Sequence, residues 1–342
     1  MNVTVYDPTL RDGSHANSHR FNPFQIEEYC KAANSIGIPV VEVGHGCGIG
    51  ASSLQLGESL TSDYEMLTAA RAMLTTSKLA VHVIPGFATI HKDLEPAFEA
   101  GVDIFRIASH CTEANVTQKH IEFVRKRNSE VYGVLMMSHM AQPERLLQEA
   151  HKMESYGAYG IVLMDSAGAL LPDEVKQRIS LLSSQLNIPV GFHAHNNLGL
   201  AIANSLAAIE SGASIIDGTL LGYGAGAGNT QIELLVMLLD KMKYTTGINS
   251  NLLIERIPEL RKILEIEHPL IAPNAIMCGI SGVVSTFLKP IERAAEEYHV
   301  NPLELFLELG KRKVVAGQED TIIEVALQLQ SAPLIIKDKV LQ

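Results

Sequence analysis

Two histidines, His193 and His195, stand two residues apart at the end of a short apolar run, in the stretch Pro189-Val190-Gly191-Phe192-His193-Ala194-His195-Asn196-Asn197-Leu198-Gly199. On a strand, residues i and i+2 point to the same face, so the two imidazoles project side by side. Neutral imidazole is the commonest metal ligand. A pair at one strand end is two-thirds of a site that a carboxylate completes. The competing reading is two polar residues facing a solvated mouth. The choice between them depends on what the fold brings alongside.

The totals bound that fold. The chain has 342 residues, 46% hydrophobic and 19% charged, the profile of an ordinary globular protein. This is enough for one large α/β barrel with an appendage, or for two domains. A formal net charge of -11 argues against nucleic acid as a partner and gives no polybasic handle for anionic lipid. No apolar stretch reaches the roughly 20 residues of a membrane span, and the N-terminus lacks the basic and apolar regions of a signal peptide. Cys30, Cys47, Cys111 and Cys278 show no CxxC spacing. They read as reduced thiols of a cytoplasmic protein.

Eight short β-rich runs alternate with longer amphipathic stretches. The runs cover residues 3–6, 40–43, 79–84, 104–108, 131–137, 160–164, 190–193 and 214–218. Helices are expected between them, over 23–36, 93–99, 117–127, 143–155, 172–186 and 199–210. Gly37, Gly101, Gly157 and Gly212 each stand where a left-handed helix cap is wanted. Strands alternating with helices imply a parallel sheet covered on both faces, and eight units fit a closed (β/α)8 barrel over residues 1–245. An open doubly wound sheet is the alternative; against it, the first strand runs into Thr9-Leu10-Arg11-Asp12-Gly13 with no GxGxxG turn. From residue 246 to 342 the pattern turns helical, over 251–267, 281–299, 302–310 and 320–330. This C-terminal region is expected to pack under the barrel or to make partner or dimer contacts.

In such a barrel, active sites sit at the C-terminal ends of the strands. That rule brings Asp12, after the first strand, to His193 and His195 at the seventh. Together they make a two-His, one-carboxylate site open to a divalent metal such as Mn²⁺, Co²⁺, Mg²⁺ or Zn²⁺. Arg11 offers a planar fork to a carboxylate or enolate, or else a salt bridge at the rim. His15, three residues after Asp12, is placed to act as general base, or is an incidental loop histidine; His19 reads as an exposed loop residue. The glycine-rich loop Leu221–Asn229 follows the eighth strand and can cradle an anion with its backbone N–H groups, but holds no GK[ST] phosphate signature. Asn229 is a candidate for contact with the metal or its ligands. Ser166 can hydrogen-bond a substrate carboxylate, or simply turn the chain. Met136 and Met137 read as core or pocket wall.

These motifs together resemble the 4-hydroxy-2-oxovalerate aldolase family of metal-dependent barrels. The resemblance rests on Thr9-Leu10-Arg11-Asp12-Gly13-Ser14-His15-Ala16, His110-Cys111-Thr112-Glu113-Ala114, Met136-Met137-Ser138-His139-Met140, Asp165-Ser166, the stretch from His193 to Gly199, Glu308-Leu309-Gly310 and Gly317-Gln318-Glu319-Asp320. It implies a class II pyruvate aldolase that cleaves or forms 4-hydroxy-2-oxo acids, 4-hydroxy-2-oxovalerate giving pyruvate and acetaldehyde. It implies Asp12, His193 and His195 as ligands of a divalent metal, Mn²⁺ first among the candidates. Arg11, Ser166 and His193 are then the substrate-side residues, Arg11 stabilising the enolate, and His15 takes the 4-hydroxyl proton. A homo-oligomer is expected, with an acylating aldehyde dehydrogenase as candidate partner of the helical C-terminal region. Catabolism of aromatic compounds and a biosynthetic aldol step both suit such a site.

One position departs from the family. Where relatives carry a substrate-lining tyrosine, the aligned residue here is Val284. A phenol hydroxyl is exchanged for an aliphatic wall, which bears on the aldehyde accepted and on stereochemistry. Two other readings start from the same residues. An acyl-CoA-dependent Claisen-type lyase or synthase of the same superfamily would carry a reactive cysteine in the late glycine-rich loop, and Leu221–Asn229 has none. A non-catalytic regulatory barrel would be expected to have lost at least one of Arg11, Asp12, His15, His193 and His195.

Overall fold

In the computed structural model, which describes residues 2–267 and 270–331, eight parallel strands close into a barrel in sequence order. They are β1 (Thr4–Leu10), β2 (Val40–Val43), β3 (Lys78–Val83), β4 (Ile104–His110), β5 (Glu130–Met136), β6 (Gly160–Asp165), β7 (Val190–Ala194) and β8 (Ile215–Asp217), with β8 pairing back on β1. Each lies within two residues of its expected place at the start, and β1 and β4 run further, towards the mouth. The strands are buried almost throughout, as they must be when helices cover the outside and side chains fill the inside.

The outer helices follow from local signals. Helix α1 (Pro23–Ile36) begins with an Asn22–Gln25 capping box and a proline in its first turn. Helix α2 (Asp63–Met73) begins with a Ser62–Glu65 box. The ring continues with α3 (Glu95–Glu99), entered through a π-helical turn at Ile90–Leu94, then α4 (Gln118–Lys126), α5 (Pro143–Tyr156), α6 (Pro172–Gln185), α7 (Ala201–Glu210) and α8 (Ile232–Lys241). Gly37, Gly101, Gly157 and Gly212 all adopt positive φ, from +83° to +106°, and so fill the cap role their spacing suggests.

The C-terminal helices are α9 (Ser250–Ile263), α10 (Pro273–Ser281), α11 (Leu288–Glu297), α12 (Pro302–Arg312) and α13 (Asp320–Ser331). The expected single helix over 281–299 is corrected here. Gly282, at φ +70°, ends α10, and a 3-10 turn at Ser285–Phe287 precedes α11. The last helices share an apolar cluster of their own, built around Phe287, Ile291, Leu305, Phe306, Leu309 and Val325. Val284 belongs to this cluster, as does Met137 from the end of β5.

Inside the barrel the side chains are layered. Tyr6, Val40, Ala80, Ile104 and Ile215 form an apolar floor. Above it lie Glu42, Arg106 and Asp217, all buried. The mouth is lined by the residues that follow the strand ends.

Candidate metal centre and active site

Asp12 sits in a 3-10 turn (Asp12–His15) that follows β1, while His193 is the next-to-last residue of β7 and His195 lies just beyond the strand. The structure brings the three together: Asp12 Oδ2 is 3.9 Å from Nε2 of His193 and 3.9 Å from Nε2 of His195. All three residues are buried, and one ligand atom from each lies within 4.8 Å of the others.

The chemistry of this set fits a divalent metal. Burial alone would raise the Asp12 carboxyl, but Arg11, with His195 and His193, holds it well below the usual carboxylate range. Burial pushes His195 down to about 4, so it is a neutral imidazole at pH 7. His193 Nδ1 is 2.8 Å from Asp217 Oδ2, a hydrogen bond that puts the ring proton on Nδ1 and leaves Nε2 a bare lone pair. That Nε2 is buried and has no hydrogen-bond partner in the protein. A buried acceptor without a donor is costly unless a ligand completes it.

Behind the mouth runs a chain of buried ion pairs that was not among the expectations from sequence. Arg106 donates from Nη1 to Glu42 (2.8 Å) and from Nη2 to Asp217 (2.7 Å). Glu42 in turn accepts from Arg11 Nε at 2.5 Å. Burial would raise Glu42, yet Arg106 and Arg11 hold it well below its ordinary value. The signal for these residues was present, since each is a lone charge inside an otherwise apolar strand: Val40-Val41-Glu42-Val43, Ile104-Phe105-Arg106-Ile107 and Ile215-Ile216-Asp217. A charge on a fully covered strand is almost never unpaired.

Arg11 makes the salt bridges that were one of its two expected uses, to Asp12 and Glu42. Nη1 donates to Asp12 at 2.7 Å and to the Gly46 carbonyl at 3.3 Å, while Nη2 is buried and without a partner. One edge of the guanidinium is thus fixed and the other is free to donate.

His15 lines a cavity of about 1120 Å3 that runs from the barrel mouth to α11 and is also bordered by Cys47, Tyr223 and Ser285. Burial pushes His15 down to about 3, so its ring is neutral. It has room only because residue 46 is glycine, where a Cβ would come within 2.4 Å of Nε2. His19 corrects the exposed-loop reading. It is 8% exposed, stacks on His45 with ring centroids 3.7 Å apart and meets His15 edge-on at 5.1 Å. Its backbone, at φ +60°, folds the chain back under the mouth, and Nδ1 is 2.9 Å from Ser14 Oγ.

The glycine-rich loop cradles an anion, and that anion is the carboxylate of Asp12. Oδ1 accepts from Ala225 N (3.2 Å) and from Asn229 Nδ2 (2.8 Å). Gly224 permits this approach, because a Cβ there would fall 2.0 Å from Asn229 Nδ2 and 2.6 Å from Asp12 Oδ1. Asn229 therefore touches a member of the Asp/His2 group. Ser166 Oγ accepts from Met137 N at 3.0 Å, so its hydroxyl first serves the scaffold and keeps its proton to donate. Val284 is buried in the apolar cluster of the C-terminal helices, while its neighbours Ser285 and Thr286 border the cavity. Cys30, Cys47, Cys111 and Cys278 are all unpaired. No helix among the described residues is long and apolar enough to cross a membrane.

Comparison with known proteins agrees with this geometry. The HMGL-like family model matches residues 2–263, and the DmpG-like communication domain matches residues 269–331. A 4-hydroxy-2-oxovalerate aldolase from Pectobacterium atrosepticum is 53% identical over 327 residues, covering 96% of this chain and 95% of its own. One from Spirochaeta aurantia is 50% identical over 329 residues, covering 96% of each. Among solved structures, the N-terminal domain of a candidate aldolase from Bacteroides vulgatus superposes with a TM-score of 0.73 at 26% identity, over 87% of this chain and 98% of that one. The carboxyl transferase domain of Rhizobium etli pyruvate carboxylase reaches 0.80 at 15% identity, covering 99% of this chain and 63% of that one, a likeness of fold alone. A metal-dependent HMGL-like barrel joined to a communication domain, and an identity of 53% that runs nearly end to end, mean that this chain belongs to the 4-hydroxy-2-oxovalerate aldolase family.

Proposed function

We propose that this protein is a class II aldolase that uses Mn²⁺ to cleave 4-hydroxy-2-oxovalerate, or a close 4-hydroxy-2-oxo acid, to pyruvate and an aldehyde. The observation that carries the reading is a pair of buried nitrogens without partners, His193 Nε2 and Arg11 Nη2, at one barrel mouth beside an ionised Asp12. Asp12, His193 and His195 would hold the metal, which when bound supplies Lewis-acid stabilisation of the 2-oxo group. Arg11 Nη2 donates to the oxygen on which negative charge grows, from a buried position where such a donor is most effective. Ser166 keeps its hydroxyl proton to donate to the substrate carboxylate, and His193 forms the adjoining wall. The neutral His15 imidazole takes the proton of the 4-hydroxyl. The C3–C4 bond breaks with its electron pair moving to C3, the aldehyde leaves, and a proton returned to C3 of the enolate completes pyruvate.

Residues 246–342 form the contact region in this reading, and its partner is an acylating aldehyde dehydrogenase. In support, three C-terminal helices each expose an apolar pair one turn apart: Ile276 and Ile280, Leu303 and Leu307, Ile323 and Leu327. A shift in elution volume on mixing with such a dehydrogenase checks it; two unshifted peaks rule it out. Four unpaired thiols suit a cytoplasmic setting.

The test of the activity is pyruvate release from racemic 4-hydroxy-2-oxovalerate with added Mn²⁺. Wild type is expected to release pyruvate only with metal. His15→Ala is expected to lose about 10²- to 10⁴-fold with metal affinity unchanged, and Asp12→Asn to lose both activity and metal. No release by the metal-loaded wild type, across a panel that also includes larger aldehydes in the synthetic direction, overturns the reading.

A further inference from the structure

The seam between the barrel and the C-terminal helices passes directly beside the Asp/His2 group. Asn197, two residues after His195, is fully buried and uses its whole amide. Nδ2 donates to the carbonyl of Ala167 (2.9 Å) and to Ser285 Oγ (2.8 Å), while Oδ1 accepts from Ala227 N (2.9 Å). Ser285 belongs to the C-terminal unit. Its Oγ donates to the Ser166 carbonyl at 2.9 Å, and its backbone N–H donates to the same oxygen. The glycine-rich loop is thus held at Ala227 by an amide that the C-terminal unit itself orients. Two residues either side of that point, the same loop holds Asp12 through Ala225 N and Asn229 Nδ2. Contact along this path is tight. Gly226 has φ +65°, and a Cβ there would stand 2.5 Å from Asn197 Oδ1 and 3.1 Å from Ser285 Cβ.

We infer that Ser285 and Asn197 are positioning residues through which the C-terminal helical unit fixes the glycine-rich loop and, through it, the carboxylate of Asp12. The metal centre is then not a property of the barrel alone. Removal of the Ser285 hydroxyl leaves one Asn197 N–H without its buried partner and the Ser166 carbonyl with the Ser285 backbone N–H alone, which loosens the Asn197 amide. A less firmly held Oδ1 fixes Ala227 N less well, and the loop that holds Asp12 on either side of it gains freedom to move. Loss of second-layer hydrogen bonds characteristically weakens a metal site without dismantling the fold. The inference rests on the reading of Asp12, His193 and His195 as metal ligands, and its test does not require turnover.

The experiment measures Mn²⁺ affinity of the full chain from the electron paramagnetic resonance signal of the free ion, alongside the melting temperature. Ser285→Ala is expected to raise the dissociation constant about 3- to 10-fold and Gly226→Ala about 10- to 100-fold, the range for outer-layer partners of metal ligands. His139→Asn is the control. It breaks another seam bond, His139 Nε2 to the Gly282 carbonyl at 3.0 Å, that does not lead to the loop, and affinity should stay within about twofold. Ser285→Ala and Gly226→Ala both binding like wild type overturns the inference. Equal weakening by Ser285→Ala and His139→Asn also overturns it, since the seam would then act by general loosening. A folded wild type that takes up no Mn²⁺, Co²⁺, Mg²⁺ or Zn²⁺ sinks the metal reading itself and the inference with it.

Discussion

Asp217→Asn tests the link between the buried charges and the metal centre. Asp217 Oδ2 receives two bonds, from His193 Nδ1 at 2.8 Å and from Arg106 Nη2 at 2.7 Å, in a place with about 1% exposure. An amide has the same shape but one acceptor atom and one donor atom. If its oxygen takes the place of Oδ2, both donors keep an acceptor, now uncharged, and the NH2 stands where Oδ1 is buried without a partner. If its NH2 takes that place, it opposes both Arg106 Nη2 and His193 Nδ1 and moves the ring proton to Nε2, where the metal should bind. The first leaves a buried donor unpaired, the second costs both bonds, and both remove the charge that stabilises Arg106. Breaking one side of a buried pair costs about 3–5 kcal/mol of stability. Disturbing the carboxylate behind a metal-binding histidine costs about 10- to 100-fold in affinity, or ~1.4–2.8 kcal/mol. The assay is Mn²⁺ titration with thermal unfolding on the same samples. Unchanged Mn²⁺ affinity in a folded Asp217→Asn protein would refute the claim that the Asp217 carboxylate tunes His193 for the metal.

Three more outcomes follow from the same geometry. Gly224→Ala, whose Cβ overlaps Asn229 Nδ2 and Asp12 Oδ1, should lower Mn²⁺ affinity by at least about tenfold and stability by about 1–3 kcal/mol, read by titration and melting. Acid should destabilise the fold below pH 6.5, as follows from the sign of each shift. Burial depresses His19 to about 2, His82 to about 3, and His45 and His139 to about 4, so below 6.5 the unfolded chain takes up protons that the fold refuses. Each such group contributes stability that is full above pH 6.5 and falls by about 1.4 kcal/mol per pH unit towards its folded pKa. Asp7 and Asp165, raised by burial to about 6, act oppositely between pH 4 and 6, but two carboxyls do not offset four histidines. His82→Gln should therefore flatten the slope of unfolding free energy against pH by about one proton between pH 4 and 6; an unchanged slope counts against a neutral, buried His82. Finally, pyruvate should bind measurably by calorimetry only when Mn²⁺ is present, and equal binding to the metal-free protein would contradict a net negative charge among the buried groups of the mouth.

Sequence patterns were enough for the barrel because a parallel sheet covered on both faces leaves continuous apolar runs, and its helices end on glycines that need positive φ. Asp12, His193 and His195 could be grouped before any coordinates because the strand-end rule ties distant segments to one mouth. Glu42, Arg106 and Asp217 were harder. Their meaning lies in which strand faces which across the barrel, a long-range fact, although a lone charge on a buried strand is itself a warning of an interior ion pair. His19 was misread for a similar reason: only the fold brings it onto His45. The break between α10 and α11 was missed although Gly282 has the same cap chemistry as Gly37 and Gly157, because the apolar pattern runs on across it.

The layering of the barrel explains why so much charge is tolerated inside it. One guanidinium, Arg106, holds Glu42 with one nitrogen and Asp217 with the other. Glu42 then steers Arg11 and Asp217 steers His193, so a single buried cation orients both the substrate side and the metal side of the mouth. Apolar residues of equal volume would pack as stably, which makes stability a poor account of the network. Its charge balance is a better one. The buried set contains two guanidiniums, Arg11 and Arg106, against three carboxylates, Asp12, Glu42 and Asp217, and so carries one net negative charge. A 2-oxo acid anion entering that field is repelled. A divalent cation reverses the sign to one positive charge, and the substrate monoanion then restores neutrality. In a low-dielectric site, where unbalanced charge is most expensive, this favours metal first and substrate second.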